Sequence, residues 1–257
     1  MVPSSPVSAS RHRTFIATLA HELRQPLSVL TSGIDIVKIA PSSAAAALAI
    51  ASMQRQAAQM KQMIDDLLDE ARWAAGTVTL RTQRLDVCQL VQEAAHDSRA
   101  AMTARGLTME IDLPARPLWV NADPVRLHQA LSNLIGNAVK FTERGGAISL
   151  SARHTALGIA IHVRDTGHGI DPAALNSVFD LFSQVHPGAH AGLGIGLSVV
   201  REIMTLHRGL VEARSAGAGR GAEFILTLPA AVAAVRPMTR YAPPPVPVSA
   251  PDLWHAV

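Results

Sequence analysis

The stretch DPVRLHQALSNLIGNAVKFT, residues 123–142, sets the reading of the C-terminal part of the chain. Asp123-Pro124 supplies an N-cap and a proline at the first helical position, which predicts a helix through Phe141. Asn133 and Asn137 lie four apart and therefore on one face, with Lys140 just beyond them. Three more signals follow in order. Asp165-Thr166-Gly167-His168-Gly169 comes directly after a strand-like run. Phe179-Asp180-Leu181-Phe182 is next, and Gly192-Leu193-Gly194-Ile195-Gly196-Leu197 leads into a helix. Each is weak alone: two asparagines on a helix are usually surface, and DxGxG is often only a turn. Phosphate chemistry gives a reason for combining them. Glycines let backbone N–H groups approach phosphates, and a helix N-terminus adds a favourable dipole. An amide oxygen suits Mg²⁺, which prefers oxygen ligands. A carboxylate at a strand end can accept from an exocyclic amine such as that of adenine. A Rossmann loop would need its glycine fingerprint after an early strand, with an acidic residue about 20 positions on, and that pattern is missing.

Outward from this stretch, strands are predicted at Val78–Arg84, Leu107–Leu113 and Leu118–Asn121. Asp86 followed by Gln89 reads as a capping box opening a helix to about Ala104. Strands at Ala147–His154 and Gly158–Arg164, a helix at Leu197–Leu206, and strands at Leu210–Arg214 and Glu223–Leu228 complete the set. Strands and helices mix without a strict βαβ rhythm, which predicts an α+β two-layer sandwich over residues 77–230. Residues 231–257, with Pro243-Pro244-Pro245, read as a Pro/Ala-rich disordered tail or linker.

Towards the N-terminus the texture is helical. Residues 1–10 are Ser/Pro-rich and read as a flexible leader. Ile16, Leu23, Leu30 and Val37 recur at seven, with Ala20, Leu27 and Ile34 interleaved, the 4-3 spacing of a coiled-coil seam. Pro41-Ser42-Ser43 breaks that helix and can cap the next. Ile50, Met53, Ala57, Met60, Ile64, Leu67 and Ala71 repeat the seam until Gly76. Residues 11–76 therefore form an antiparallel helical hairpin. Two such helices cannot close a core alone, so residues 14–74 are expected to pair with a second copy as a four-helix bundle.

Composition limits the alternatives. Of 257 residues, 48% are hydrophobic and only 4% aromatic, enough to bury a core and rich in helix-favouring alanine. Net charge is +3 without a Lys/Arg cluster, which argues against nucleic acid. Cys88 is the sole cysteine, which excludes an internal disulfide and a cysteine metal cage. No run approaches the roughly 18 apolar residues of a membrane span, and the N-terminus lacks a signal-peptide layout. A cytoplasmic segment is expected.

On the first helix lies Ala20-His21-Glu22-Leu23-Arg24-Gln25-Pro26-Leu27. With Ala20 and Leu27 in the seam, His21 falls one step round, at its rim. Gln25 rules out an HExxH zinc site. Phe15–Leu30 resembles the phosphoacceptor box of sensor histidine kinases. Asn133–Thr142 is similar to that family's N box, DTGHGI, FDLF and GLGIGL to its G1, F and G2 boxes, and Gly217–Pro229 to its closing G3 strand. The boxes occur in the family's order and cover roughly residues 12–230.

The resemblance implies a dimerisation and phosphoacceptor hairpin followed by a Bergerat-type ATP-binding domain. It implies that His21 is phosphorylated from Mg-ATP, with Glu22 as general base. Asn137 would ligate Mg²⁺, with Asn133 and Lys140 beside the phosphates. Asp165 would read the adenine amine, in a pocket shaped by Gly167 and Gly169. Phe182, Gly192, Leu193, Gly194, Gly196 and Leu197 would frame the nucleotide and its lid. The implied partners are a response-regulator receiver domain, which accepts the phosphoryl group on an aspartate, and a sensory domain or protein outside this chain. Gln25 stands where the family commonly has Thr or Asn, the position tied to dephosphorylating the regulator. Residues 183–191, SQVHPGAHA, are a few residues shorter than the usual lid. A catalytically weak dimeric scaffold is the alternative. A chaperone- or gyrase-like ATPase would have no use for the His21 hairpin.

Overall fold

The computed structural model describes residues 6–74, 79–181, 183 and 194–231, without the side chains of 6–18, 21, 22, 59, 62, 65, 66 and 69–74. Helices α1 (Pro6–Ile39) and α2 (Ala44–Ala74) pack on one another as a hairpin. Helix α1 already covers part of the expected leader, because a proline is compatible with a first helical turn. Pro26 lies inside α1 and has no N–H to give the Glu22 carbonyl one turn earlier. Between the helices, the Ser43 hydroxyl donates to Ala40 O (2.8 Å) and accepts from Ala46 N (3.0 Å), so the expected break and cap are both present. Close approach depends on Gly33, where a Cβ would stand 2.6 Å from Met53 Cγ.

The predicted seam divides into two rows. Leu23, Leu30 and Val37 of α1 and Met53, Met60 and Leu67 of α2 are half-buried within the chain. The interleaved residues are not: Leu27 is 49% exposed, Ile34 47%, Ile50 42% and Ile64 47%.

The second part contains strands β1 (Gln83–Asp86), β2 (Thr108–Asp112), β3 (Trp119–Ala122), β4 (Ala147–Thr155), β5 (Gly158–Asp165), β6 (Leu210–Arg214) and β7 (Glu223–Leu228). Its helices are α3 (Val87–Arg105), α4 (Pro124–Phe141) and α5 (Gly196–Leu206). Five strands form one sheet in the order β2-β4-β5-β7-β6, with β2 parallel to β4 and the remaining pairs antiparallel. β1 and β3 form a separate antiparallel pair, which Ala230 and Ala231 extend through Val120 and Trp119. Alternation places Ile148, Leu150, Ile159, Ile161 and Val163 on the face that packs against Leu127, Leu131, Leu134 and Ile135 of α4 and Val199, Val200 and Ile203 of α5. The result is the two-layer α+β sandwich that the mixed element order predicts.

Two expectations need correcting. Asp86 does cap α3, accepting from Cys88 N (3.0 Å) and Leu118 N (3.0 Å), but Gln89 turns away to donate to Glu93 (2.8 Å). The i,i+4 partner takes it, so no reciprocal box forms. Of the strand expected over Val78–Arg84, Val78 lies outside the described residues and residues 79–82 are not in a strand; it begins at Gln83, because the Arg81 N–H is taken by the Asp123 carboxylate at 2.9 Å instead of a neighbouring strand. Gly76, Ala71 and Ile16 lie outside the described residues or side chains.

Candidate nucleotide and phosphoacceptor site

Helix α4 begins and ends where its sequence directs. The Asp123 carboxylate accepts from Val125 N (3.1 Å) and Arg126 N (3.2 Å), and Pro124 occupies the first turn. At the other end the Thr142 hydroxyl donates to Ala138 O at 2.6 Å, and Arg105 donates to the Val139 and Lys140 carbonyls, 2.6 Å each. With both ends fixed, Asn133, Asn137 and Lys140 are half-buried, off the fully buried face of the helix. The Asn133 amide donates to Gly196 O at 3.2 Å, which joins α4 to the start of α5. The Lys140 ammonium sits 5.0 Å from the centre of the Phe141 ring.

Asp165 ends β5 and is buried. Its Oδ1 accepts from Gly167 N (2.8 Å) and Ala222 N (3.3 Å), which leaves Oδ2 to meet a ligand's amine. Burial pushes this carboxyl above its ordinary value, against the lowering effect of the two backbone donors and of His168. The neighbouring loop is tightly closed. A Cβ on Gly167 would collide with the Phe141 carbonyl, and one on Gly169, at φ +72°, with the Gly217 carbonyl. Only glycine fits those two positions without moving backbone.

Opposite this loop stands Ser215–Gly221, which takes in the start of the Gly217–Pro229 stretch. Gly219 N donates to His168 O (2.6 Å) and Gly221 N to Gly167 O (3.0 Å). The Ser215 hydroxyl accepts from Ile170 N (2.9 Å) and donates to Gly221 O (2.7 Å). The glycine spacing of 217–221 was visible in the sequence, but nothing local announced which loop it would meet.

Helix α5 starts at Gly196 with no side-chain cap, so its first-turn N–H groups remain available to an anion. Gly194 has φ +68°, whereas a Cβ on Gly196 would meet only the Asn133 amide at 3.8 Å. Leu197 is half-buried against the core. Arg201 of α5 donates to Asp180 at 3.0 Å, which holds together the chain on either side of residues 184–193. Phe182, Gly192 and Leu193 lie outside the described residues. His21, Glu22 and Gln25 occupy α1; the first two side chains are undescribed, and Gln25 is exposed on the turn before Leu27.

Among the described residues, no cluster of three His, Cys, Asp or Glu could hold a metal. The half-buried Asn137 amide fits Mg²⁺ nonetheless, because that ion keeps waters and phosphate oxygens and asks the protein for few ligands. Among the described residues no helix is long and apolar enough to cross a membrane.

A long helical hairpin followed by a sandwich with a buried strand-end aspartate, a glycine-closed loop and an uncapped helix defines a phosphoacceptor module joined to a Bergerat-type ATP-binding domain. The chain matches the His Kinase A (phospho-acceptor) domain family over residues 11–76. It matches the Histidine kinase-, DNA gyrase B-, and HSP90-like ATPase family over residues 122–232. It is 31% identical over 222 residues to sensor histidine kinase AtsR of Burkholderia thailandensis, covering 84% of this chain and 36% of that protein. It is 30% identical over 220 residues to adaptive-response sensory kinase SasA of a Synechococcus species, covering 83% of this chain and 58% of the relative. Among solved structures, full-length ShkA in complex with AMPPNP aligns with TM-score 0.64 at 30% identity, over 84% of this chain and 46% of that one. Histidine kinase AdeS of Acinetobacter baumannii shares the fold, with TM-score 0.63 at 20% identity over 82% of this chain and 98% of that one. The chain belongs to the sensor histidine kinases. It spans less than two thirds of the length of the curated relatives it matches.

Proposed function

We propose that this chain is an ATP-dependent protein histidine kinase core that phosphorylates His21 and passes the phosphoryl group to an aspartate of a receiver domain. The observation that carries this reading is Asp165. A buried carboxylate with one oxygen spent on backbone donors and the other open is suited to an exocyclic amine, and so to adenine. Around it, Gly167 and Gly169 let the loop close tightly on the Phe141 and Gly217 carbonyls, which holds the carboxylate in place. Asn133, Asn137 and Lys140 on α4 and the uncapped start of α5 supply donors for phosphates.

In the proposed reaction a neutral ring nitrogen of His21 attacks the γ-phosphorus in line and the bond to the β-phosphate oxygen breaks, releasing ADP. Glu22 takes or stabilises the proton on the other ring nitrogen. Lys140 offsets charge on the phosphates, and Asn137 would hold the Mg²⁺ that, when bound, neutralises the developing charge. Residues 11–76 act as a homodimeric hairpin in this reading, supported by the exposed row of Leu27, Ile34, Ile50 and Ile64. Residues 77–230 act as the nucleotide domain. Gln25, one turn after His21, holds the position tied to dephosphorylating the regulator, with an amide one methylene longer than that of Asn.

The test is transfer from ATP labelled at the γ-phosphate. The chain should acquire label that survives base and is lost in acid, and a receiver-domain protein added afterwards should remove it. Binding of ATP without any acid-labile label would refute the kinase reading and favour the scaffold.

A further inference from the structure

Asp123 joins three segments that sequence keeps far apart. Its Oδ2 accepts from Arg81 N at 2.9 Å, and Arg81 lies on the connection from the hairpin into β1. Its Oδ1 caps α4, the helix that carries Asn133 and Asn137. Its own N–H donates to His207 Nε2 at 2.9 Å, at the C-terminal end of α5. Asp123 and His207 are each only 7% exposed, so water replaces none of these bonds cheaply.

The tautomer of His207 follows from its partners. A backbone N–H can only donate, so Nε2 is the acceptor, and the proton sits on Nδ1, which donates to Ile203 O at 2.7 Å. Both ring nitrogens are therefore committed, one to its own helix and one to the corner of α4. The turn that follows is sterically constrained. Arg208, with φ +55°, is the one described non-glycine residue in the left-handed region. Gly209 behind it leaves no room for a Cβ, which would meet Met204 Cε at 2.6 Å and Thr227 O at 2.5 Å. Arg208 N donates to Thr205 O (2.9 Å) and Gly209 N to Met204 O (2.8 Å), the pattern by which a helix ends on a left-handed residue, here an arginine. Helix α5 also packs against α2 of the hairpin.

We infer that His207 is a positioning residue: through Asp123 it fixes α5 and α4 to the connection leaving the hairpin, and so sets how the nucleotide domain is carried towards His21. This rests on the proposed kinase reading. His207 touches neither nucleotide nor acceptor in this scheme, so its loss should slow transfer and leave nucleotide binding alone.

Two substitutions in the full chain separate this from simple packing. Asn places its amide near the Nδ1 position and loses the bond to Asp123, whereas Gln can place an amide oxygen near Nε2 and keep it. His207→Asn should slow ATP-dependent labelling about tenfold, as expected for one orphaned buried donor, with the dissociation constant of a fluorescent ATP analogue unchanged. Amide hydrogen exchange at Arg81 and Asp123 should quicken in the same variant. His207→Gln should restore labelling and exchange to wild-type values. The inference is overturned if affinity and labelling fall together in His207→Asn, if the Gln variant is as slow as the Asn variant, or if exchange at Arg81 is unmoved. The exchange measurement needs no kinase activity. A wild-type chain that fails to label refutes the proposed function, while exchange still decides the role of His207.

Discussion

The hairpin and the sandwich spend their apolar residues differently. In the sandwich, Leu127, Leu134, Ile148, Ile159 and Ile161 are fully buried within one chain. In the hairpin, four residues of the heptad seam, Leu27, Ile34, Ile50 and Ile64, are left at 42–49% exposure, although they are as apolar as those of the core. The sandwich is complete as a monomer and can preset a binding site. The hairpin leaves its second row exposed, and in the proposed reading a second copy of itself covers that row.

The same substitution in the two regions should therefore do different things. Leu134→Ala empties a closed core and should cost about 2–5 kcal/mol of unfolding free energy, measured by denaturant melting. Leu27→Ala should barely alter that transition and instead weaken self-association, read by sedimentation equilibrium. Equal destabilisation of the monomer by both would break the contrast. Next in size, Gly169→Ala should cost at least about 1–2 kcal/mol, because a left-handed residue gains a Cβ against the Gly217 carbonyl, and nucleotide affinity should fall with it. Gly196→Ala should leave stability unchanged or raise it by up to about 1 kcal/mol, since a helical glycine gains helix propensity and a Cβ meets only Asn133 at 3.8 Å.

The smallest effect is a pH dependence confined to the sandwich. Burial holds the Asp165 carboxyl above its ordinary 3.8, so the folded chain binds that proton more tightly than the unfolded chain does. Its contribution to stability is then present at low pH and is lost as pH rises through the folded value. Nucleotide affinity should run the other way, because an amine is read by the ionised form. Titrating affinity against pH should show weakening that begins above the range of an ordinary aspartate and disappears in Asp165→Asn. Self-association of the hairpin should not follow the same curve.

How much of this was legible depended on how far apart the partners lie. Helix α4 was readable to its last residue, since Asp123, Pro124 and Thr142 act within a turn of where they stand. The heptads gave the hairpin but not the division of its seam, because a 4-3 spacing is the same whether a row faces its own chain or another. The Asp86–Gln89 box failed because a competing acceptor, Glu93, was one turn away. Asp165, Gly167 and Gly169 were visible as a strand-end motif, yet their counterpart Ser215–Gly221 comes about 50 residues later and meets them only through the β5–β7 pairing. The Asp123–His207 bond spans 84 positions, and no local pattern pointed to it.

The central claim is that the complete half of the molecule hands a phosphate to the incomplete half. It is tested most directly by labelling the chain with γ-labelled ATP and mapping the acid-labile phosphate by fragmentation. The account predicts phosphate on His21 and none after His21→Ala, with nucleotide affinity unchanged in that variant. Undiminished acid-labile label in His21→Ala would contradict it.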